Sequence, residues 1–265
     1  MTEIPLGSRD DIHSGGGVGG EKSSPVAFPI PSEELGSVSI SPSGSFEAGS
    51  YQTFTLVYTA GKFGIDDSGS MRICFRFASD QTRPQFENPT GPNYTTIVAS
   101  NNAVLNYHYD PKGNVRPWDR TLYIKVVRGF LKEGDTITVK FGDKSKGSPG
   151  MRLQTFCEES YEFHTLVDPI ATYCYQPMPE QPTIKIVPGP AERFLAIGPT
   201  IRAVGEPFQI KIKGEDKWGN PTNLCDYEFD VVSTCKIKGL PKKVTLKPGE
   251  FTATLSDLRV QTAED

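Results

Sequence analysis

Histidine and paired cysteine are scarce in this chain, and long apolar segments are missing. Only three histidines occur among 265 residues, and the five cysteines form an odd set with no C-x-x-C pair. A hydrolytic metal site needs three or more converging imidazole or carboxylate ligands, often with histidines close in sequence. Because His13, His108 and His164 are far apart, we predict no metal-binding residue, no catalytic residue and no cofactor for this chain, with the cysteines as reduced thiols.

Hydrophobic and basic runs are missing as well. No window approaches the ~20 apolar residues of a membrane span, and the N-terminus has no basic segment followed by an apolar core. The 28 basic and 32 acidic residues are interspersed and give a net charge of −4, without the basic patch that nucleic acid or an anionic membrane would need. We therefore expect a cytoplasmic protein that binds neither nucleic acid nor a membrane, and its oligomeric state is left open.

Glycine and proline are abundant instead. The 26 glycines and 22 prolines make up about 18% of the chain, against roughly 12% in average proteins. Many turns between short strands explain this excess. Period-2 alternation of apolar and polar residues is clearest at 121–128 and 136–141, and no 3.6-residue pattern persists through ~11 residues. The predicted fold class is all-β.

The chain divides into four predicted parts. Residues 1–34, rich in Gly and Ser, are expected to form a disordered tail. Nine strand candidates in residues 35–176 predict a large β-sandwich, and repeated proline at 177–182 predicts a stiff linker. Six candidates in residues 183–265 predict a second, immunoglobulin-like β-sandwich that is incomplete, because that architecture needs ~7 strands.

The strand candidates differ in how clearly they alternate. The segment Tyr161–Val167 alternates well, as does Met71–Phe77, where Phe77 is assigned to the buried face. The remaining candidates are Ser37–Ile40, Thr53–Thr59, Tyr94–Val98, Ala103–Tyr109, Thr121–Arg128, Thr136–Phe141, Arg152–Phe156, Thr183–Val187, Phe208–Gly214, Tyr227–Val232, Lys243–Leu246, Phe251–Leu255 and Leu258–Gln261.

Three stretches carry a family resemblance. They begin SVSISPSGSFEAGSYQTF at residue 37, YDPKGNVRPWDRTLYIKVVRGF at 109 and GSPGMRLQTFCEESYEF at 147. Together they resemble the N-terminal region of a bacterial family catalogued as domain of unknown function 3604. The next segment, with GEDKWGNPT, is similar to the immunoglobulin-like domain that follows in such proteins.

This resemblance implies the front half of a longer protein with a downstream hydrolase domain like the polymerase and histidinol phosphatase (PHP) group. That domain would use a divalent metal held by His, Asp and Glu residues, beginning with an Asp-Leu-His type motif. The motif does not occur in this sequence, so no metal ligand or catalytic residue carries over. The resemblance does not identify a substrate.

One surface could bind a ligand. The loop Ser79–Asn93 is long and polar, and loops beyond ~12 residues are often functional. We expect the VRPWDR segment to form part of the same surface, because its arginine and tryptophan side chains could bind an anionic or sugar-like group through paired hydrogen bonds and stacking. The candidate ligand-binding residues are Arg83, Asn93, Arg116, Trp118 and Arg120. The alternative is that the arginines pair with nearby carboxylates and Trp118 plugs the sandwich.

Two acidic clusters, Asp66-Asp67 and the one around Asp110, are interpreted as turns rather than calcium loops. The segment from Asp110 to Asn114 has turn-forming residues without the spacing of a calcium loop. In GEDKWGNPT, Asp216 can close a turn through its side chain, while Gly219 and Asn220 tolerate positive φ.

Three functions follow as hypotheses. The first is a non-catalytic scaffold or interaction region for a hydrolase domain or chain. The second is a stand-alone binding module for a carbohydrate or an anionic ligand. The third is a subunit that completes a metal-dependent hydrolase in trans.

Overall fold

The structure, a computed structural model, describes residues 30–262. The predicted tail at 1–34 falls almost entirely outside this range, as does His13. Within it the chain is built of strands and two short 3-10 helices, Ser32–Glu34 and Lys144–Lys146. This confirms the predicted all-β class. None of the helices in the described range has the length and apolarity that crossing a membrane requires.

The strands of the described range are short and separated by turns. Their bounds are β1 (Gly36–Ser41), β2 (Ser45–Glu47), β3 (Tyr51–Gln52), β4 (Phe54–Ala60), β5 (Ser70–Phe75), β6 (Thr96–Ala99), β7 (Val104–Asp110), β8 (Arg120–Arg128), β9 (Thr136–Phe141), β10 (Met151–Arg152), β11 (Glu158–Glu162), β12 (His164–Asp168), β13 (Gln176–Pro177), β14 (Thr183–Val187), β15 (Arg193–Ile197), β16 (Pro207–Glu215), β17 (Pro221–Thr222), β18 (Tyr227–Asp230), β19 (Ile237–Lys238), β20 (Lys243–Leu246) and β21 (Thr252–Val260).

The chain folds into two compact units. Unit 1 holds the described residues up to Phe46 together with Ser50–Gln154 and Glu159–Lys185. Unit 2 holds Glu47–Gly49, Thr155–Glu158 and the described residues from Ile186 onward.

Unit 1 contains two main antiparallel sheets. One has the strand order β1–β4–β9–β6 and the other β13–β12–β5–β8–β7. Their inner faces meet, since Phe75 on β5 contacts Phe141 on β9 edge-to-face with ring centroids 5.8 Å apart. A smaller sheet of this unit has the order β10–β3. The two main sheets form a β-sandwich.

Alternation along the strands decides which side chains enter the core of unit 1. On β8, Leu122, Ile124 and Val126 are at most 1% exposed, whereas Tyr123 and Lys125 point away from the core. Burying a large apolar side chain contributes about 1.5–3 kcal/mol. These inward positions agree with the sequence pattern.

The aromatic centre of unit 1 is Phe163, which lies between β11 and β12. Its ring centroid is 5.5–5.8 Å from those of Phe54, Phe75, Phe141 and Tyr161. Aromatic pairs at such distances stabilise a core beyond the area that they bury.

Two predicted details of unit 1 are wrong or altered. Phe77 is 44% exposed rather than buried, because β5 ends at Phe75 and the chain leaves the sheet there. Within the predicted proline linker, Pro177 belongs to β13 and pairs with Leu166, and Met178 N donates to Thr165 O at 3.0 Å. The start of that segment is therefore hydrogen-bonded to the five-stranded sheet.

Unit 2 has a sheet of order β15–β16–β21–β19, with β17 paired to β16, and a two-stranded sheet β18–β20. Phe194 on β15 contacts Phe229 on β18 with ring centroids 4.7 Å apart, so the two sheets pack together. The two strands predicted at Phe251–Leu255 and Leu258–Gln261 are the single strand β21. Its register shifts opposite Phe208 and Ile210, and Asp257 has a φ of 56° there, which identifies a β-bulge.

Candidate functional site

The outward face of the five-stranded sheet in unit 1 brings chemically active side chains into one row. Arg72 on β5 pairs with Tyr123 on β8, and Tyr123 pairs in turn with His108 on β7. These positions alternate with the core residues Ile73 and Ile124, so the three side chains lie on the face that points away from the core.

The connection from β7 to β8 forms one wall above this row. As predicted, Asp110 begins a turn, and its Oδ1 accepts a hydrogen bond from Lys112 N at 2.8 Å. A Cβ added at Gly113 would lie 2.9 Å from the Cβ of Thr121, so only glycine lets the connection approach the sheet this closely. Asn114 Nδ2 then reaches the thiol of Cys74 at 3.4 Å.

The turn after β12 forms the opposite wall. The buried carboxylate of Asp168 accepts hydrogen bonds from Thr172 N at 3.0 Å, Thr172 Oγ1 at 2.9 Å and Tyr173 N at 2.6 Å. Ala171 and Tyr173 have φ values of 54° and 63°, a left-handed conformation that costs an L-residue about 1–2 kcal/mol. Asp168 thus holds a strained turn, and such strain is concentrated at functional sites.

Between the two walls lies a small concave site, which we call the outer-face pocket. Its volume is about 170 Å³, below the roughly 300–1,000 Å³ of most ligand clefts, so it suits a single small ring or a terminal group. It is lined by Arg72, His108, Asp110, Gly113, Thr121, Tyr123 and Tyr173.

Arg72 is the most unusual residue of the outer-face pocket. Its guanidinium carbon lies 3.7 Å from the ring centroid of Tyr175 and 5.9 Å from that of Tyr123. Nη1 is 3.5 Å from Asn114 Oδ1, at the limit of a hydrogen bond, and the buried Nε has no hydrogen-bond partner. Among the described residues no carboxylate lies within 4 Å of this cation.

The ionisable groups beneath the pocket are held in their neutral forms. Burial raises the pKa of the Cys74 thiol to about 11, although Thr121 and the charge of Arg72 oppose the shift. Burial also raises the pKa of Tyr175, whose hydroxyl lies 2.6 Å from Ser70 Oγ. Because the thiolate is the reactive form of cysteine, Cys74 is a poor nucleophile at neutral pH.

Trp118 lies in an aromatic stack rather than in the outer-face pocket. Its ring stacks on His164 with centroids 4.7 Å apart and an interplanar angle of 16°, and the Arg76 guanidinium lies 5.5 Å from the indole. Glu162 Oε1 is 2.6 Å from His164 Nδ1 and orients the imidazole. The half-buried indole therefore has an aromatic ring and a cation as neighbours within unit 1.

The two candidate arginines of the VRPWDR segment make contacts within unit 1. Arg116 is exposed, with its guanidinium 4.8 Å from the Phe77 ring and its Nε 3.5 Å from an Asp119 carboxylate oxygen. Arg120 donates a hydrogen bond to the carbonyl of Ser79 at the start of the long loop. The segment and the loop predicted to share a surface are thus in contact.

The remaining candidate residues lie at different depths. Arg83 is exposed, and its charge, with that of Arg120, opposes the burial that raises the pKa of Tyr109. Asn93 is 0% exposed, donates to Thr82 O at 2.6 Å and accepts from Gly142 N at 3.0 Å. The structure therefore brings Arg83 and Arg120 into one electrostatic neighbourhood and places Asn93 in the interior.

Residues 30–262 contain no group of three or more His, Cys, Asp or Glu side chains placed to hold a metal ion. The sequence prediction missed the outer-face pocket because its residues come from three strands and two turns. The alternation along β8 predicts that Tyr123 points outward, as the structure shows. The strand order β5–β8–β7, which places Arg72 and His108 beside it, cannot be predicted from any single segment of the sequence.

No protein-family model matches the chain, and no curated protein matches it. Among solved structures, the chain is similar to the CBM3a-L domain with flanking linkers from scaffoldin cipA of the cellulosome of Clostridium thermocellum. The identity is 13%, the TM-score is 0.27, and the match covers 48% of this chain and 76% of that chain. At this score the likeness is too weak to support a statement about function.

Proposed function

We propose that the chain is a binding module and that unit 1 binds a carbohydrate in the outer-face pocket. One observation carries the proposal: Tyr123, His108 and Tyr173 surround a small pocket whose charged side chains are Arg72 and Asp110. Aromatic rings offer flat apolar faces to the C–H faces of a sugar ring. Charged side chains beside them offer donors and acceptors to its hydroxyl groups.

The support of the pocket favours binding. Three of its side chains, on Arg72, Tyr123 and His108, come from adjacent hydrogen-bonded strands, and sites built on strands hold their geometry better than sites on loops. The turn that carries Tyr173 is held by the buried carboxylate of Asp168. A preorganised site loses little conformational entropy when a ligand binds.

The roles suggested by the family resemblance remain predictions. A scaffold for a PHP-like hydrolase domain and a subunit that completes such an enzyme in trans need a second domain or chain. The outer-face pocket is compatible with either arrangement, because a binding module can accompany a catalytic domain. Membership of family 3604, the divalent metal of its hydrolase domain and a cytoplasmic location stay predictions too.

Affinity electrophoresis tests the proposal. The full chain is run through gels that contain xylan, galactomannan, a mixed-linkage glucan, polygalacturonate or alginate. We expect at least one polysaccharide to retard it. Tyr123→Ala and His108→Ala should weaken that binding about tenfold, or ~1.4 kcal/mol, when one ring contact is lost.

The matched control is Phe130→Ala, because Phe130 is a 61% exposed aromatic side chain outside the pocket. Its affinity should equal that of the wild type. Unchanged mobility of the wild type in every gel would contradict the proposal. So would wild-type affinity in both pocket variants.

A further inference from the structure

We infer that the sugar bound in the outer-face pocket carries a carboxylate, as in a hexuronate, and that Arg72 binds this group. The inference rests on the proposed carbohydrate-binding function and specifies its ligand. The observation behind it is that Arg72, a half-buried cation that lines the pocket, has no carboxylate partner among the described residues.

The surroundings of Arg72 leave its hydrogen-bonding capacity largely unused. A guanidinium has five N–H donors, yet the contact of Nη1 with Asn114 Oδ1 at 3.5 Å is at the limit, and the buried Nε has no partner. The guanidinium carbon lies 3.7 Å from the ring centroid of Tyr175 and 5.9 Å from that of Tyr123, and such cation–π contacts do not use its N–H donors. The guanidinium of this half-buried residue has no carboxylate partner, so an anion in the pocket would pair with the nitrogens other than the buried Nε.

The geometry favours a planar anion with one charge. A guanidinium binds a carboxylate edge-to-edge through two parallel hydrogen bonds, and stacking on tyrosine rings fixes the plane in which that edge lies. Asp110 lines the same pocket, and its charge repels a phosphate with two negative charges more strongly than a carboxylate with one.

Asp110 has a complementary role toward the rest of the sugar. Its Oδ1 accepts from Lys112 N at 2.8 Å, and a carboxylate retains further acceptor sites for ligand hydroxyl groups. Arg72 would hold the acid group while Asp110 accepts from hydroxyls. Lys125, two residues beyond Tyr123 on the same face of β8, adds positive potential beside the pocket.

The test compares an oligogalacturonate with its methyl ester, in which each acid group has lost its charge and gained a methyl group, both titrated into the full chain by isothermal calorimetry. Oligomers of glucuronate, mannuronate and a sulfated galactan extend the panel. We expect a uronate oligomer to bind at least about tenfold more tightly than its ester, the ratio typical of one charge-assisted hydrogen-bonded pair. Arg72→Gln should remove this preference.

The matched control is Arg128→Gln, which removes the same charge from the exposed end of β8, about 17 Å along the strand from Tyr123. It should keep the preference. If Arg72→Gln does not fold, the acid-to-ester ratio of the wild type still decides the matter. Equal affinity for acid and ester, or a preference for the sulfated galactan, would overturn the inference and leave carbohydrate binding standing. Binding of no saccharide would overturn both.

Discussion

The carboxylate of Asp216 is the hydrogen-bonding centre of the GEDKWGNPT turn in unit 2. Its Oδ1 accepts from the backbone N–H groups of Trp218 and Asn220, both at 2.9 Å. Its Oδ2 accepts from Asn220 Nδ2 at 2.8 Å and Gly189 N at 3.2 Å. The residue is 1% exposed, so water cannot replace these bonds easily.

Replacing Asp216 with alanine should therefore destabilise unit 2 strongly. The change leaves three backbone N–H groups without an acceptor, and those of Gly189 and Asn220 are buried. Each buried donor left unpaired costs about 1–3 kcal/mol, which gives a loss of about 4 kcal/mol for the two. This is a large part of the ~5–15 kcal/mol that stabilises a typical domain.

Stability should also depend on pH through this group. Burial raises the pKa of Asp216, but the hydrogen bonds from Asn220, Gly189 and Trp218 outweigh it and hold the pKa below its ordinary value. A lowered pKa in the folded state contributes stability that is fully present above the unfolded pKa of ~3.9 and is lost as pH falls through the folded pKa. Unit 2 of the wild type should lose stability there, and Asp216→Ala should lose less, because among the described carboxylates of unit 2 only Glu215, whose pKa the hydrogen bond with Lys213 lowers, still contributes.

The assay uses the distribution of tryptophan. The chain has two tryptophans, Trp118 in unit 1 and Trp218 in unit 2, so Trp118→Phe makes tryptophan fluorescence report on unit 2 alone. In that background, Asp216→Ala should lower the urea midpoint by about 2 M or more for a slope of about 1–2 kcal/mol per M. Asp230→Ala, which removes an exposed carboxylate from β18, is the control. Equal midpoints for Asp216→Ala and Asp230→Ala would refute the reasoning.

Two further outcomes are expected in unit 1. Phe163→Ala should lower the stability of unit 1 by about 4 kcal/mol in thermal unfolding, because the ring contacts four other aromatic rings. Phe130→Ala at the surface should change it by less than ~0.5 kcal/mol. Similar midpoints for the two variants would count against the assigned core. Alkylation by iodoacetamide, measured by mass spectrometry, tests the burial of the cysteines. The exposed Cys157 should react in the native protein, and the buried Cys74 should react only after unfolding. Equal rates in the native protein would contradict the packing around Cys74.

Some strands could be predicted to the residue. Thr136–Phe141, Thr183–Val187 and Lys243–Leu246 coincide with β9, β14 and β20. In each, buried and less buried residues alternate between turn residues, so the signal is contained in the segment itself. Where one face of a strand is buried in the core, the alternation of apolar and polar residues in the sequence predicts the strand.

Other strands could not be predicted because their partners define them. Arg193–Ile197, which forms β15, has no buried residue, and its pairing with β16 holds it in the sheet. The single strand β21 was predicted as two because its bulge at Asp257 interrupts the alternation. A bulge depends on the neighbouring strand, which a local pattern does not contain.

The same limit applies to the candidate site. The arginines and the tryptophan of VRPWDR could be predicted as candidate binding residues because basic and aromatic residues occur together in one loop. The stacking partner of Trp118 could not be predicted, because His164 belongs to β12, far along the chain. The row of Arg72, Tyr123 and His108 exists only because β8 lies between β5 and β7. Strand order is a property of the whole fold.

Binding of an acidic sugar in the outer-face pocket of unit 1 can be followed residue by residue in an NMR titration of the full chain with a uronate oligomer, observed through assigned backbone amides. We expect the largest shift changes at Tyr123, His108, Gly113 and Tyr173, with a smaller response to a neutral oligomer. Changes centred on Trp118 or on unit 2, or no change with any saccharide, would contradict it.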